Sequence, residues 1–269
     1  MPELPEVETT VRAINKFEKN VLKEIIVNNK NLRWKVEEKV EEFVKNKFIQ
    51  NITRRAKYIL IFFEDQCLMI HLGMSGKLRI QKIKDNYFKK HDHVELIFEN
   101  EKIVFNDPRR FGSIHLTRNP HEHRLIKNLG IEPLSKSFNK DYLATLCKSS
   151  NLNIKKLIMD QRKIVGVGNI YASESLFLAK IKPDRPSKNV SMTECKNLVT
   201  SIKKILKYAI KKGGTTLKDF YSADGSEGYF NLELNVYGKE DKGCKICHQK
   251  IIRTVIAKRA TYSCNNCQI

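Results

Sequence analysis

Four cysteines near one end of the chain constrain the fold more than any other feature. They read Cys244-x2-Cys247-x16-Cys264-x2-Cys267. Each C-x2-C knuckle brings two thiolates onto one turn, and the segment between the knuckles is long enough to leave and return as a hairpin. Such a pair suits one tetrahedral zinc ion. Two disulfides or a redox pair are the competing readings. The total of seven cysteines is odd, and the opening MPELPEVETT has neither the basic nor the apolar region of a secretory signal. Both observations favour zinc. Four protein ligands leave no open position, so the metal is expected to hold shape rather than to do chemistry. Cys67, Cys147 and Cys195 stand alone and read as buried small hydrophobes.

The remaining residues are numerous enough to build cores. The chain has 269 residues, 41% of them hydrophobic, at a mean hydropathy of -0.44. No apolar run approaches the roughly 20 residues of a membrane span. There are 50 Lys+Arg against 30 Asp+Glu, a formal net charge of +20. These values exclude a disordered basic tail and an integral membrane protein. They suggest an intracellular protein with a polyanionic partner. Lysines scattered over a surface are commonly only solvated, so position matters more than the sum. Residues 1–130 hold 25 basic and 18 acidic residues, and residues 131–269 hold 25 and 12. Both halves are basic.

Periodicity divides the chain. Residues 2–18 predict a helix, with acids in the first turns and Leu4, Val7, Val11 and Ile14 at helical spacing. Short β-rich runs follow at 23–27, 48–54, 58–63, 67–71, 77–81, 94–98, 102–106 and 113–116, separated by turn residues. Their spacing predicts a sandwich or barrel. Helical patterns then cover 140–148, 154–161, 170–179 and 191–212, the last opened by the capping box Ser191-Met-Thr-Glu194. Between two of these helices, Gly166-Val-Gly-Asn169 leads into a helix N-terminus, whose free N–H groups suit an anion. The expected domains are 1–131, 132–235 and 236–269. Residues 217–228 read as a loop.

Several motifs stand on this frame in a fixed order. They are Pro2-Glu-Leu-Pro-Glu-Val-Glu-Thr9, Arg54-Arg-Ala-Lys57, His71-Leu-Gly-Met-Ser-Gly76, Asp107-Pro-Arg-Arg-Phe-Gly112, Gly166-Val-Gly-Asn-Ile-Tyr-Ala-Ser-Glu-Ser175, Gly213-Gly-Thr-Thr-Leu-Lys-Asp-Phe220 and the four cysteines. Together they resemble the bacterial formamidopyrimidine-DNA glycosylases, which remove oxidised purines such as 8-oxoguanine. The resemblance spans residues 2–267. It implies an α+β fold: an N-terminal β-sandwich opened by a catalytic helix, a helical helix-two-turn-helix domain and a zinc-bound β-hairpin. It also implies a monomer acting in the cytoplasm on damaged double-stranded DNA, at the nucleoid, with one structural zinc and no redox cofactor.

Residue roles follow from the same resemblance. Once Met1 is removed, Pro2 carries a secondary α-amine, and α-amines titrate far below lysine. A neutral amine can attack a sugar carbon and form a Schiff base. Glu3 is implied as general acid and Glu6 as its support, although a proline and acids also simply suit a helix start. Lys57 is implied as proton donor in β-elimination and Arg259 as the residue assisting δ-elimination. A strand-edge lysine is the plainer alternative for Lys57. His91, Asn169 and Lys155 are implied phosphate contacts, whereas His93 also fits an interior strand. Met74, Arg109 and Phe111 are implied to fill the gap left by an extruded base. Without the motifs, Met74 and Phe111 would read as core. Residues 217–228 are implied to close over the base.

Two other functions fit part of the pattern. The endonuclease VIII type uses the same scaffold on oxidised pyrimidines, but the Pro-Glu-Leu-Pro-Glu opening and the Arg109-Arg-Phe111 segment favour the purine enzyme. A non-catalytic zinc-hairpin DNA-binding protein would leave Pro2, Glu3 and Lys57 unexplained.

Overall fold

The computed structural model describes residues 2–85, 88–213 and 234–269. Contacts divide the chain into two compact units, the first within residues 1–127 and the second chiefly within residues 128–212 and the C-terminal segment.

The first unit opens with helix α1 (Leu4–Ile14). Its apolar residues Leu4, Val7, Val11 and Ile14 are all buried, as the spacing predicts. Each buried aliphatic side chain of this kind contributes about 1.5–3 kcal/mol. A short 3-10 turn then ends the helix over Asn15–Phe17. The next elements are β1 (Val21–Leu22), β2 (Glu24–Val27), α2 (Lys39–Phe43) and β3 (Lys47–Phe48). Strands β4 (Asn51–Arg55), β5 (Tyr58–Phe62), β6 (Cys67–His71) and β7 (Lys77–Lys82) follow. The unit closes with β8 (Asp92–Ile97), β9 (Glu101–Asn106) and β10 (Ser113–Thr117).

Two four-stranded antiparallel sheets result, with orders β10-β6-β5-β4 and β2-β8-β9-β7. One cluster of buried residues joins them, with Ile59, Ile61, Leu68 and Ile70 from the first sheet and Leu78, Val94, Leu96, Ile103 and Phe105 from the second. The predicted sandwich is therefore present. The short elements β1 and α2 were not legible in the sequence, and β3 registered only through Phe48 at the edge of the 48–54 run. Two residues of strand or five of helix carry too little periodicity to register.

The second unit contains α3 (Lys140–Lys148), α4 (Ile154–Ile158), α5 (Asn169–Leu178) and α6 (Met192–Lys211). Helix α5 is buried from Ile170 through Phe177, as befits a central helix wrapped by its neighbours. Helix α6 starts at the predicted capping box: the Glu194 N–H donates to Ser191 Oγ, and the Ser191 N–H donates to Glu194 Oε2 at 2.9 Å.

The C-terminal segment forms a hairpin of β11 (Ile252–Ile256) and β12 (Arg259–Ser263). Its two-residue turn, Ala257-Lys258, has φ values of 50 and 61. Positive φ at both positions is the type I′ geometry that matches strand twist. Among the described residues, no helix is long and apolar enough to cross a membrane.

Candidate functional site

In the first unit, the chemistry-bearing residues cluster around the start of α1 and three connecting loops. Pro2 and Glu3 are buried, with Glu3 at 2% exposure. Glu3 is the N-cap of α1. Its backbone N–H donates to Glu6 Oε2 at 2.8 Å, so a carboxylate one turn away fixes the Pro2–Glu3 backbone.

Lys57 sits in the tight turn between β4 and β5 and is 8% exposed. Ala56 before it takes φ 54, the left-handed region. Arg54 holds this turn. Its Nη1 donates to Ala56 O at 2.8 Å while its Nε donates to Glu8 Oε2 at 3.0 Å. One guanidinium therefore ties the Lys57 turn to α1. Sequence reasoning quoted Arg54 and Glu8 within motifs but gave them no role. Their pairing over 46 positions has no local signature.

His71 ends β6. Its Nδ1 accepts the Gly73 N–H at 3.0 Å. Burial lowers its pKa to about 4, helped by the nearby positive charges of Lys57 and Arg33. A ring held neutral keeps Nδ1 as an acceptor. The loop that follows carries Met74, and the 107–112 loop carries Arg109 and Phe111. Met74 and Phe111 are each 41% exposed, so neither belongs to the core. The Arg109 guanidinium lies 4.8 Å from the Phe111 ring centroid. All three line one cavity of about 800 Å³ together with Asn31, Arg33 and His71.

The two loops touch at glycines. Gly73 takes φ 68, and a Cβ there would lie 2.4 Å from Gly112 N. No larger residue fits either requirement. His91, the expected phosphate contact, takes φ 97 in the turn before β8, and its carbonyl accepts the Asp107 N–H at 3.1 Å. His93 is an interior histidine, 4% exposed, with Nε2 2.8 Å from Asp107 O. Between them Asp92 forms a buried ion pair with Arg79, both oxygens at 2.7 Å from Nη2. Asn106 Nδ2 donates to Asp92 Oδ1 at 2.8 Å.

In the second unit, the sulfur atoms of Cys244, Cys247, Cys264 and Cys267 all lie within 4.8 Å of one another. Two of the separations are 3.9 and 3.4 Å. Tetrahedral zinc with bonds of about 2.3 Å needs sulfurs about 3.8 Å apart, so the cluster fits. The four cysteines are positioned to bind one metal ion, consistent with a zinc finger. Gln268, fully buried, docks this cluster. Its Oε1 accepts the Cys264 N–H at 2.8 Å, and its Nε2 donates to Ile181 O at 2.8 Å.

Arg259 opens β12, is exposed, and lines a cavity of about 300 Å³ with Lys155 and Lys156. Directly behind it, two helices grip the hairpin. Lys155 Nζ donates to Thr261 Oγ1 at 2.6 Å and to Ala260 O at 3.3 Å, while Asn169 Nδ2 donates to Ala260 O at 2.9 Å. Lys155 is 1% exposed. As described, it is a tie between α4 and the hairpin; touching a phosphate would require its ammonium to leave those partners. A burial pattern of one lysine in Ile-Lys-Lys-Leu-Ile cannot be read from charge. Asn169 Oδ1 is buried without a partner among the described residues.

Glu174 was also missed. Fully buried on α5, it accepts four bonds of 2.8–2.9 Å, from the N–H groups of Asn235, Val236 and Tyr237 and from Asn235 Nδ2. A carboxylate satisfied this way anchors the segment leading into the cysteine cluster. The loop expected at 217–228 lies outside the described residues.

The buried Pro2–Glu3 start of α1, the half-exposed Met74 and Phe111 on touching loops, and the four-cysteine hairpin held by α4 and α5 are the arrangement that a class of DNA-repair glycosylases shares. Comparison with known proteins narrows it. Residues 1–114 match the formamidopyrimidine-DNA glycosylase N-terminal domain, and residues 129–221 match the formamidopyrimidine-DNA glycosylase H2TH domain. The chain is 46% identical to the formamidopyrimidine-DNA glycosylase of Hydrogenovibrio crunogenus, covering 100% of this chain and 96% of the relative. It is 48% identical to that of Legionella pneumophila strain Lens, covering 100% and 98%. Among solved structures, the complex of Lactococcus lactis Fpg with DNA containing an abasic site aligns with a TM-score of 0.91 at 34% identity over 99% of each chain. Thermus thermophilus MutM (Fpg) aligns with a TM-score of 0.88 at 33% identity, over 99% of this chain and 98% of that one. The chain belongs to the formamidopyrimidine-DNA glycosylase family.

Proposed function

We propose that this chain is a bifunctional base-excision repair enzyme that excises oxidised purines from duplex DNA and then cleaves the abasic strand. The relatives' shared name supports the substrate class, as do the Lactococcus lactis Fpg structures with abasic and Fapy-dG DNA. The observation that carries the catalytic reading is the Pro2–Glu3 start of α1, buried and held by Glu6 at 2.8 Å.

Removal of Met1 leaves Pro2 as a secondary amine. Its nitrogen attacks C1′ of the damaged nucleotide, the glycosidic bond breaks and the base leaves. Glu3 gives a proton to O4′ as the sugar ring opens, producing an iminium on Pro2. The iminium acidifies C2′–H; loss of that proton forms the C2′=C3′ double bond as the 3′ phosphate departs with Lys57 as proton donor, and loss of the C4′ proton then expels the 5′ phosphate with Arg259 assisting. A one-nucleotide gap with phosphate at both ends remains. Met74, Arg109 and Phe111 occupy the space of the extruded base, and His91 and Asn169 contact the flanking phosphates. Zinc, when bound, supplies only the rigidity of the hairpin that presents Arg259. The enzyme acts as a monomer in the cytoplasm, at the nucleoid.

Side-by-side excision from 8-oxoguanine:cytosine and thymine-glycol duplexes tests the reading. Faster excision of 8-oxoguanine is expected. A preference for thymine glycol would move the chain to the pyrimidine-directed type.

A further inference from the structure

Asp107 is fully buried, and each of its polar groups is committed to a loop of the first unit. Its Oδ1 accepts the Ser75 hydroxyl at 2.6 Å, and its Oδ2 accepts the Gly112 N–H at 2.7 Å. The Ser75 Oγ in turn accepts the Arg109 N–H at 3.2 Å. A continuous chain thus runs from the Arg109 backbone through Ser75 to the Asp107 carboxylate and on to Gly112. Its members flank Met74 on one side and Phe111 on the other. The Asp107 N–H adds a link to His91 O at 3.1 Å.

We propose that Ser75 and Asp107 are positioning residues that lock the Met74 loop and the Arg109–Phe111 loop into one wedge. The inference rests on the functional reading above and deepens it. Opening a stacked duplex is useful only if the wedge side chains enter together. Two loops moving independently would each lose their freedom at the moment of insertion, whereas joined loops lose it on folding. The 2.6 Å hydroxyl–carboxylate bond has the length of a strong, charge-assisted hydrogen bond. Gly73 against Gly112 brings the loops close enough for that bond to close. Neither Ser75 nor Asp107 touches the reacting sugar; both act through Met74, Arg109 and Phe111.

Ser75 is part-exposed, so Ser75→Ala should fold, and melting temperature within about 3 °C of wild type checks this. The test compares single-turnover excision of 8-oxoguanine opposite cytosine with cleavage of a preformed abasic site, which has no base to extrude. Ser75→Ala is expected to excise roughly 10- to 100-fold more slowly and to cleave the abasic site within about threefold of wild type. Ser75→Thr, which keeps the hydroxyl, is expected to restore excision. Asp107→Asn, which cannot accept both bonds with its carboxamide, is expected to follow Ser75→Ala. Equal loss of both reactions, unchanged excision, or a folded Ser75→Thr that fails to rescue would overturn the proposal. A wild-type chain that excises no 8-oxoguanine would overturn the functional reading first and this one with it.

Discussion

Lys155 donates to Thr261 Oγ1 at 2.6 Å, across 106 positions of sequence. The bond is buried and lies two residues from Arg259. An ammonium at 1% exposure must be fully paired, so the hairpin and α4 are held in one register. Thr261→Val removes the hydroxyl at nearly constant volume. A loss of about 1–3 kcal/mol is expected from the stranded ammonium. If Arg259 drives δ-elimination, a looser hairpin should let the β-elimination product accumulate. Denaturing gels of cleaved abasic DNA resolve the two products, and the β to β,δ ratio is expected to rise roughly tenfold. An unchanged ratio would separate the hairpin's anchoring from the chemistry.

Arg54 links the turn carrying Lys57 to the helix carrying Glu3. Its substitution should therefore misplace Lys57 without removing it. Arg54→Ala is expected to lower kcat for abasic-site cleavage roughly tenfold with little change in KM. The ion pair is only part-exposed, with side chains 11% and 23% accessible, so some loss of stability is expected alongside. Steady-state kinetics with a thermal melt distinguish the two effects.

Asp92 pairs with Arg79 in the interior, at 1% and 7% side-chain exposure. Asp92→Ala would strand a buried guanidinium and is expected to cost about 3–5 kcal/mol. Urea unfolding should register it as a lower midpoint at constant slope. The same change frees the Lys89 N–H, which donates to Asp92 Oδ2 at 2.8 Å, and so loosens the His91 turn. Weaker DNA binding is expected along with the lost stability.

Acid should destabilise the first unit through two histidines. Burial lowers His71 and His115 to about 4, with neighbouring cations adding to the effect. Between their unfolded value near 6.5 and that level, the unfolded chain binds more protons than the folded one. Stability therefore rises with pH across this window and is lost as pH falls through it. Melting temperature is expected to drop steadily from about pH 6.5 to about pH 4, and less steeply in His115→Gln.

Much of this was legible because its signals are local. Periodicity located α1, α3, α6 and the strands of both sheets within a few residues. The capping box at Ser191 and the cysteine knuckles are short-range patterns with one dominant physical meaning. Met74 and Phe111, which would read as core without the motifs, are half-exposed. What the sequence hid is the pairing of distant groups. Arg54 with Glu8, Ser75 with Asp107, Lys155 with Thr261, and Glu174 with the 235–237 backbone all depend on packing. Lys155 is the plainest case: nothing local in Ile-Lys-Lys-Leu-Ile shows that its ammonium is buried against the Thr261 hydroxyl.

The central claim is covalent chemistry at Pro2, and borohydride trapping tests it most directly. Protein with Met1 removed and zinc bound is incubated with an 8-oxoguanine duplex and reduced. A stable protein–DNA adduct mapping to Pro2 is predicted, absent when Met1 is retained. An adduct on a lysine, or none from a folded, processed protein, would contradict the account.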